Sequence, residues 1–262
     1  MNQLSAWTVF KESTQFTYSN LKTFGKIWLS VFLLNLGLTL SFMLLSSIVN
    51  NSLSLTSFSL KETAGTSFGA LLLIPQFLIS IYISSTLGSR WIQFYNAPGK
   101  IKWFQFKKAE WQFFKYYLLL IGVFLGAVAA AAIPAWPFVN FVIIPLYNDQ
   151  PILSVILTIL VGLPALFGLW ILGIRLSFMG PAAALLHPTG LKESWRQTRP
   201  YQTQLFYFGL LLLLIIAAPL LLFPLGSLFT VLSCVLFVIC SGFFGGVSYV
   251  GLTKFYQTSQ RQ

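Results

Sequence analysis

Charge is what this 262-residue chain has least of: Asp and Glu number five, histidine one, and charged residues together make up 8%. A soluble domain carries about three times that share, so water is not the main solvent of this chain. Five scattered acids and one histidine also leave too few groups to hold a metal or move protons, as hydrolytic chemistry requires, and no enzyme, metal or cofactor is expected. His187 in "LLHPTG" is the one conventional general base, and beside Pro188 it reads as an ordinary interfacial residue. The two cysteines, Cys234 and Cys240, share one apolar run. On a helix they lie about 9 Å apart on different faces and cannot bridge each other.

What is abundant is apolar surface, with 56% hydrophobic and 17% aromatic residues. A helix needs roughly 20 apolar residues to cross about 30 Å of hydrocarbon. Six such spans are predicted, at 27–49, 70–94, 116–135, 152–178, 204–223 and 228–253. The last two are parted only by "PLGS" (224–227), which predicts a tight hairpin. The runs are continuous instead of alternating, so the expected fold is an all-α bundle of transmembrane helices, a single membrane domain over 1–262, and not a barrel.

The net charge of +11 could suggest nucleic acid, but its placement does not. Fifteen of the sixteen Lys and Arg fall on one side of the expected topology, and Lys61 alone on the other. By the positive-inside rule the basic side is cytoplasmic, which puts both termini inside. Glu62 and Asp149 fall on the outer side. The first 26 residues lack the layout of a cleavable signal peptide, so the first span is expected to act as its own insertion signal. Trp7, Phe10, Leu21, Phe24 and Trp28 suggest an amphipathic helix at the inner interface, with Thr14 and Thr17 interrupting its stripe. "KIKWFQFKKAEWQFFKYY" has the same basic and aromatic character.

Two short echoes recur. Leu87-Gly88-Ser89-Arg90, Leu172-Gly173-Ile174-Arg175 and Val250-Gly251-Leu252-Thr253-Lys254 each end an outward-to-inward span. Upstream of the odd spans stand Lys11-Glu12-Ser13, Lys108-Ala109-Glu110-Trp111 and Lys192-Glu193-Ser194-Trp195. The unit is an interfacial segment followed by a helical hairpin, and three units in one orientation (1–95, 96–178, 179–262) make parallel repeats. The other reading is that a small residue and a snorkelling cation end any inner span.

The connection "RLSFMGPAAALLHPTGLKESWRQTR" combines Arg175, Pro181, Ser194, Trp195, Thr198 and Arg199. It resembles YciC-like inner-membrane proteins and the membrane domain attached to some glycerophosphodiester phosphodiesterases, with Pro200 where the family usually has glycine. The "FKESTQFTYSNLKTF" start is similar in style. The resemblance implies a multi-span protein of the bacterial inner membrane with no settled activity.

Within the spans, Asn35 and Gln76 are the main polar candidates, for a solute path or for interhelical hydrogen bonds. Gly122 and Gly126, and Gly242 and Gly246, offer small faces for close helix packing, which points to the third and sixth spans as the bundle centre. Arg90, Arg175, Arg196, Arg199 and Lys254, with Trp195 as an interfacial anchor, form a cytoplasmic collar suited to anionic phospholipid. The expectation is a nonenzymatic membrane protein that organises or binds lipids or membrane partners. Pro75, Pro134, Pro164 and Pro219 interrupt spans and keep a second reading open, a transporter or channel for a small solute or lipid.

Overall fold

A computed structural model describes residues 4–49, 67–99, 107–187, 189–219 and 227–261. Lys61, Glu62, Lys100, Lys102 and most of the "PLGS" hairpin lie outside these residues. In chain order the helices are α1 (Ala6–Ser19), α2 (Leu21–Val49), α3 (Ser67–Asn96), α4 (Lys108–Phe138), α5 (Ile144–Asp149), α6 (Pro151–Leu176), α7 (Met179–Ala184), α8 (Leu191–Thr198), α9 (Gln202–Ala217) and α10 (Ser227–Ser259). Among the described residues there is no strand. A π turn, Val139–Ile143, joins α4 to α5. It follows Pro134 and Pro137, whose missing N–H groups weaken the regular ladder there.

Among the described residues five helical stretches are long and apolar enough to cross a membrane: Leu21–Leu45, Lys108–Ile133, Pro151–Ala184, Leu191–Ala217 and Leu232–Ser259. The chain is therefore a multi-pass helical membrane protein. The expected second span is helical, as α3, but is not among the five. Gln76, Ser80, Ser84, Ser85, Thr86, Ser89 and Arg90 dilute its described part.

Packing concentrates at the end of the bundle that carries the basic residues. Val9 and Phe10 of α1, Phe178 before α7, Leu205 and Phe208 of α9, and Val247 and Phe255 of α10 form one buried cluster. Phe24, Ile27, Trp91 and Val250 form a second, and Ile92, Phe113, Ala183 and Ala184 a third. Towards the opposite end Leu33, Leu40, Leu125, Ile133, Leu160 and Leu163 turn outwards, as hydrocarbon allows. The short helix α7 is buried along its whole length. It ends in a Schellman turn, with His187 N–H bonded to Ala182 O at 2.9 Å. The left-handed position there is held by Leu186 (φ 62°), where glycine would be usual.

Two expectations need correction. The third span is not at the bundle centre: no residue of its apolar window is buried, against 22% of the sixth. Only its inner start, with Ala109, Glu110, Phe113 and Phe114, is covered. Likewise Gly122 and Gly126 meet nothing within 4 Å. Lipid solvates a small apolar face as readily as another helix does, so the spacing alone does not bring a partner. Gly242 and Gly246 differ, because Trp28 and Phe24 of α2 lie directly against them.

The amphipathic segment at the start is also arranged differently from the expected stripe. Ser13 and Thr17 are fully buried beside Val9 and Phe10, while Trp7 and Leu21 are largely exposed. Helix α1 packs on α10 and α9 and is part of the bundle. The basic segment from Lys108 runs without a break into the third span as α4.

Candidate functional site

The packed layer at the basic end is built from three similar joints, in which a short helix or the start of one covers the end of a longer helix. Helix α1 packs on α10, the start of α4 on α3, and α8 on α6. The glycines of the first echo receive aromatic rings from other helices. A side chain at Gly88 would meet Phe113 and Tyr249, one at Gly173 would meet Phe124, and one at Gly251 would meet Phe208. At Gly88 and Gly251 the rings occupy the space that a Cβ would take, whereas at Gly173 a Cβ would make an ordinary contact.

The two echoes meet through charge. Arg90 donates from Nε to Glu110 Oε1 at 2.8 Å, with 7% and 3% of the two side chains exposed. Glu110 Oε2 also accepts the backbone N–H of Lys107, capping the start of α4. Lys254 pairs with Glu12 across almost the whole sequence. By the same pattern Glu193 would face Arg175, but it accepts instead from Arg196 at 2.9 Å and Gln197 at 2.8 Å. Arg175 has no carboxylate partner among the described residues.

Arg175 sits in the last turn of α6, where a cation favours the helix dipole. Its carbonyl, one of the orphans of a helix end, accepts from Ser194 Oγ at 2.9 Å and from Thr198 Oγ1 at 3.3 Å. Trp195, between them on α8, lays its ring 5.1 Å from the guanidinium carbon. The Ser-Trp-x-x-Thr spacing thus has a physical account: two hydroxyls one turn apart close the end of α6, and the tryptophan covers its cation. Nη2 donates to Gln202 Oε1 at the start of α9. Nε and Nη1 are buried and have no hydrogen-bond partner. Arg199 is exposed, has no carboxylate partner among the described residues, and is close enough for its charge to repel that of Arg175.

An apolar groove of about 410 Å³ lies between α4, α6, α9 and α10. Gly173, Ile174 and Ser177 line it on either side of Arg175 in sequence, and Leu205, Gly209 and Leu212 line it from α9. Neither Arg175 nor Gln202 is among the residues that line it, and on α6 Arg175 falls on the face about 180° from the lining positions. Trp170 packs its ring on Gly209, and its Nε1 is buried at the groove wall without a partner.

The remaining candidates separate. Arg90 is no free collar cation: it is buried and paired with Glu110, and so is corrected from lipid contact to a structural role. Lys254 is held by Glu12 and is a quarter exposed. Arg196 remains on the surface with Glu193. Asn35 and Gln76 are not brought together. Asn35 donates to Ser84 Oγ at 3.3 Å, bridging α2 and α3, while Gln76 lies in a shallow depression formed by its own helix. A pair that sequence reading missed, Tyr117 and Tyr249, joins α4 to α10 by a 2.7 Å hydrogen bond. The missed groove had a faint signal, Gly209 facing Trp170, but two isolated residues on separate spans do not announce contact. Cys234 and Cys240 are free thiols and His187 is exposed.

These features define an all-helical multi-pass membrane protein with its packed layer and its charge pairs at one end. No protein family, no curated protein and no solved structure matches the chain.

Proposed function

We propose that the chain is a nonenzymatic, six-span protein of the bacterial inner membrane, YciC-like in type, that binds anionic phospholipid at its cytoplasmic face and organises lipid or membrane partners there. The observation that carries this reading is the shortage of acid around Arg175, Arg196 and Arg199: among the described residues Arg196 pairs with Glu193, and the other two have no carboxylate partner. Unmatched guanidinium groups at the membrane interface attract phosphate, which they can grip with two parallel hydrogen bonds. Both termini are read as cytoplasmic from the basic residues, and α3, the second span in chain order, brings the number of spans to six. The three joints of the inner layer favour parallel repeats, since each sets an interfacial segment on the end of a span.

Transport has no comparable support, because Asn35 and Gln76 line no common cavity among the described residues. The test is lipid retention. Each basic group near an anionic surface contributes about 1 kcal/mol, so replacing Arg175, Arg196 and Arg199 together by Gln is expected to remove most copurifying cardiolipin or phosphatidylglycerol. Topology stays as it is, since the other cations still mark the inner side. Equal retention by the parent and the triple variant in native mass spectrometry would end the lipid reading.

A further inference from the structure

A second cleft, of about 440 Å³, lies on the other side of α9 from the groove lined by Trp170, where the start of α1 rests against that helix. Its α9 wall, Thr203, Gln204, Tyr207, Leu210, Leu211 and Leu214, keeps the spacing of a single helix face. Ser5 and Trp7 stand on the α1 side. The wall is graded. Thr203 and Gln204 stand where α9 begins, at the basic end, and the three leucines follow the helix into the membrane. From Thr203 to Leu214 the wall runs about 16 Å, roughly half of the 30 Å hydrocarbon core and so the depth of one leaflet. Trp7 and Tyr207 are 61% and 54% exposed, rings of the kind that settle at the headgroup level.

Two polar groups of the cleft have no work inside the protein. Gln204 Oε1 is buried without a hydrogen-bond partner, and Ser5, at the N-cap of α1, makes no capping bond with its side chain. A buried amide left unpaired beside hydrocarbon is costly, so a partner from outside the chain is favoured. Among the described residues no charged side chain lines the cleft.

We propose that this cleft holds one acyl chain of a glycerophospholipid, with the chain along Leu210, Leu211 and Leu214 and its ester group at Ser5, Thr203 and Gln204. The hydroxyls of Ser5 and Thr203 donate to the ester oxygens. A half-turn of the Gln204 amide brings its N–H to the buried position, and it donates there likewise. An acyl ester is the occupant because the cleft is polar only at its interfacial end and apolar for the depth of one leaflet. The lining offers nothing to a headgroup charge, so binding is indifferent to it. The site is therefore separate from the arginine contacts proposed above and does not depend on them.

The full chain in phosphatidylcholine vesicles tests the site, with a trace of phosphatidylcholine that carries a photoreactive group midway along one acyl chain and peptide mapping of the label. Leu213 is the control, since it neighbours Leu214 at the same depth, is 48% exposed and is not part of the cleft. The parent protein is expected to carry several-fold more label on Leu210, Leu211 and Leu214 than on Leu213, and to do so alike when the photoreactive lipid is phosphatidylglycerol. Leu214→Trp, at a position 60% exposed, fills the cleft and should bring the label on Leu210 and Leu211 down to that on Leu213. Gln204→Leu keeps the size of the side chain and removes the amide. It is expected to lower cleft labelling about five-fold, the worth of one hydrogen bond, while melting is unchanged or raised because an unpaired buried group is gone. Replacing Arg175, Arg196 and Arg199 together by Gln should leave the cleft labelled as in the parent.

Equal label on Leu213 and Leu214 in the parent would make the cleft part of the general lipid boundary and overturn the site. Labelling that survives both Leu214→Trp and Gln204→Leu would do the same. Loss of cleft label in the triple arginine variant, or a strong preference for phosphatidylglycerol, would overturn it as a site apart from the arginines. Unchanged retention of anionic lipid by that variant, with the cleft still labelled, would end the arginine reading and leave this site standing.

Discussion

Glu110 and Glu193 belong to the same sequence echo but do different work because they sit at different depths. Glu110 is nearly sealed from solvent with Arg90, and its loss leaves a buried guanidinium without the charge that compensates it. Breaking such a pair from one side typically costs about 3 kcal/mol. Glu110→Gln is therefore expected to lower the melting temperature in detergent clearly, even though the amide oxygen can still cap Lys107. Arg196 is 77% exposed, and its ion pair with Glu193 contributes about 0.5 kcal/mol or less. Arg196→Gln should melt with the parent, and equal shifts for the two variants would refute the division into structural and surface cations. Sequence marked all these residues, and even their recurrence, but not their pairing. Arg90 and Glu110 are 20 positions apart, whereas Lys254 and Glu12 are 242 apart. Only the fold can say which acid meets which cation.

Apolar runs announced the helices because hydrocarbon leaves the backbone no other way to satisfy its hydrogen bonds. The run length shows that a segment is immersed and is silent about what touches it. Gly122-x-x-x-Gly126 and Gly242-x-x-Gly245-Gly246 look alike in sequence, yet one faces open space and the other faces Trp28 and Phe24. A Cβ built on Gly246 would lie 2.6 Å from the Phe24 ring, and Gly246 O also accepts from Trp91 Nε1 at 3.1 Å. Gly246→Leu is expected to destabilise the protein by about 1–3 kcal/mol through overpacking. Gly126→Leu, on an open face, should leave melting within about 0.5 kcal/mol of the parent. Thermal unfolding of the two variants side by side decides, and a large loss in Gly126→Leu would show that its face is covered by another chain. The interfacial pieces were harder to read for a related reason. Thr14 and Thr17 break an apolar stripe only if the polar face of α1 meets water, and Thr17 instead turns into the bundle.

At the scale of the whole molecule, the packed layer and the basic residues share one end, while the opposite halves of the spans keep their apolar side chains outward. The positive-inside rule would place the basic end at the cytoplasm, and the proposed binding of anionic lipid by Arg175, Arg196 and Arg199 depends on that orientation. Cysteine labelling in intact cells tests that assignment once Cys234 and Cys240 have been replaced by Ala. A reagent that cannot cross the membrane should modify a cysteine introduced by Asp149→Cys, at the turn between α5 and α6, and spare one introduced by Lys107→Cys before α4. Permeabilising the cells should expose the second site, which separates protection by the membrane from burial in the protein. Labelling of Lys107→Cys alone in intact cells would invert the topology. Arg175, Arg196 and Arg199 would then face the outer leaflet, and the proposed binding of anionic phospholipid at the cytoplasmic face would fall with the orientation.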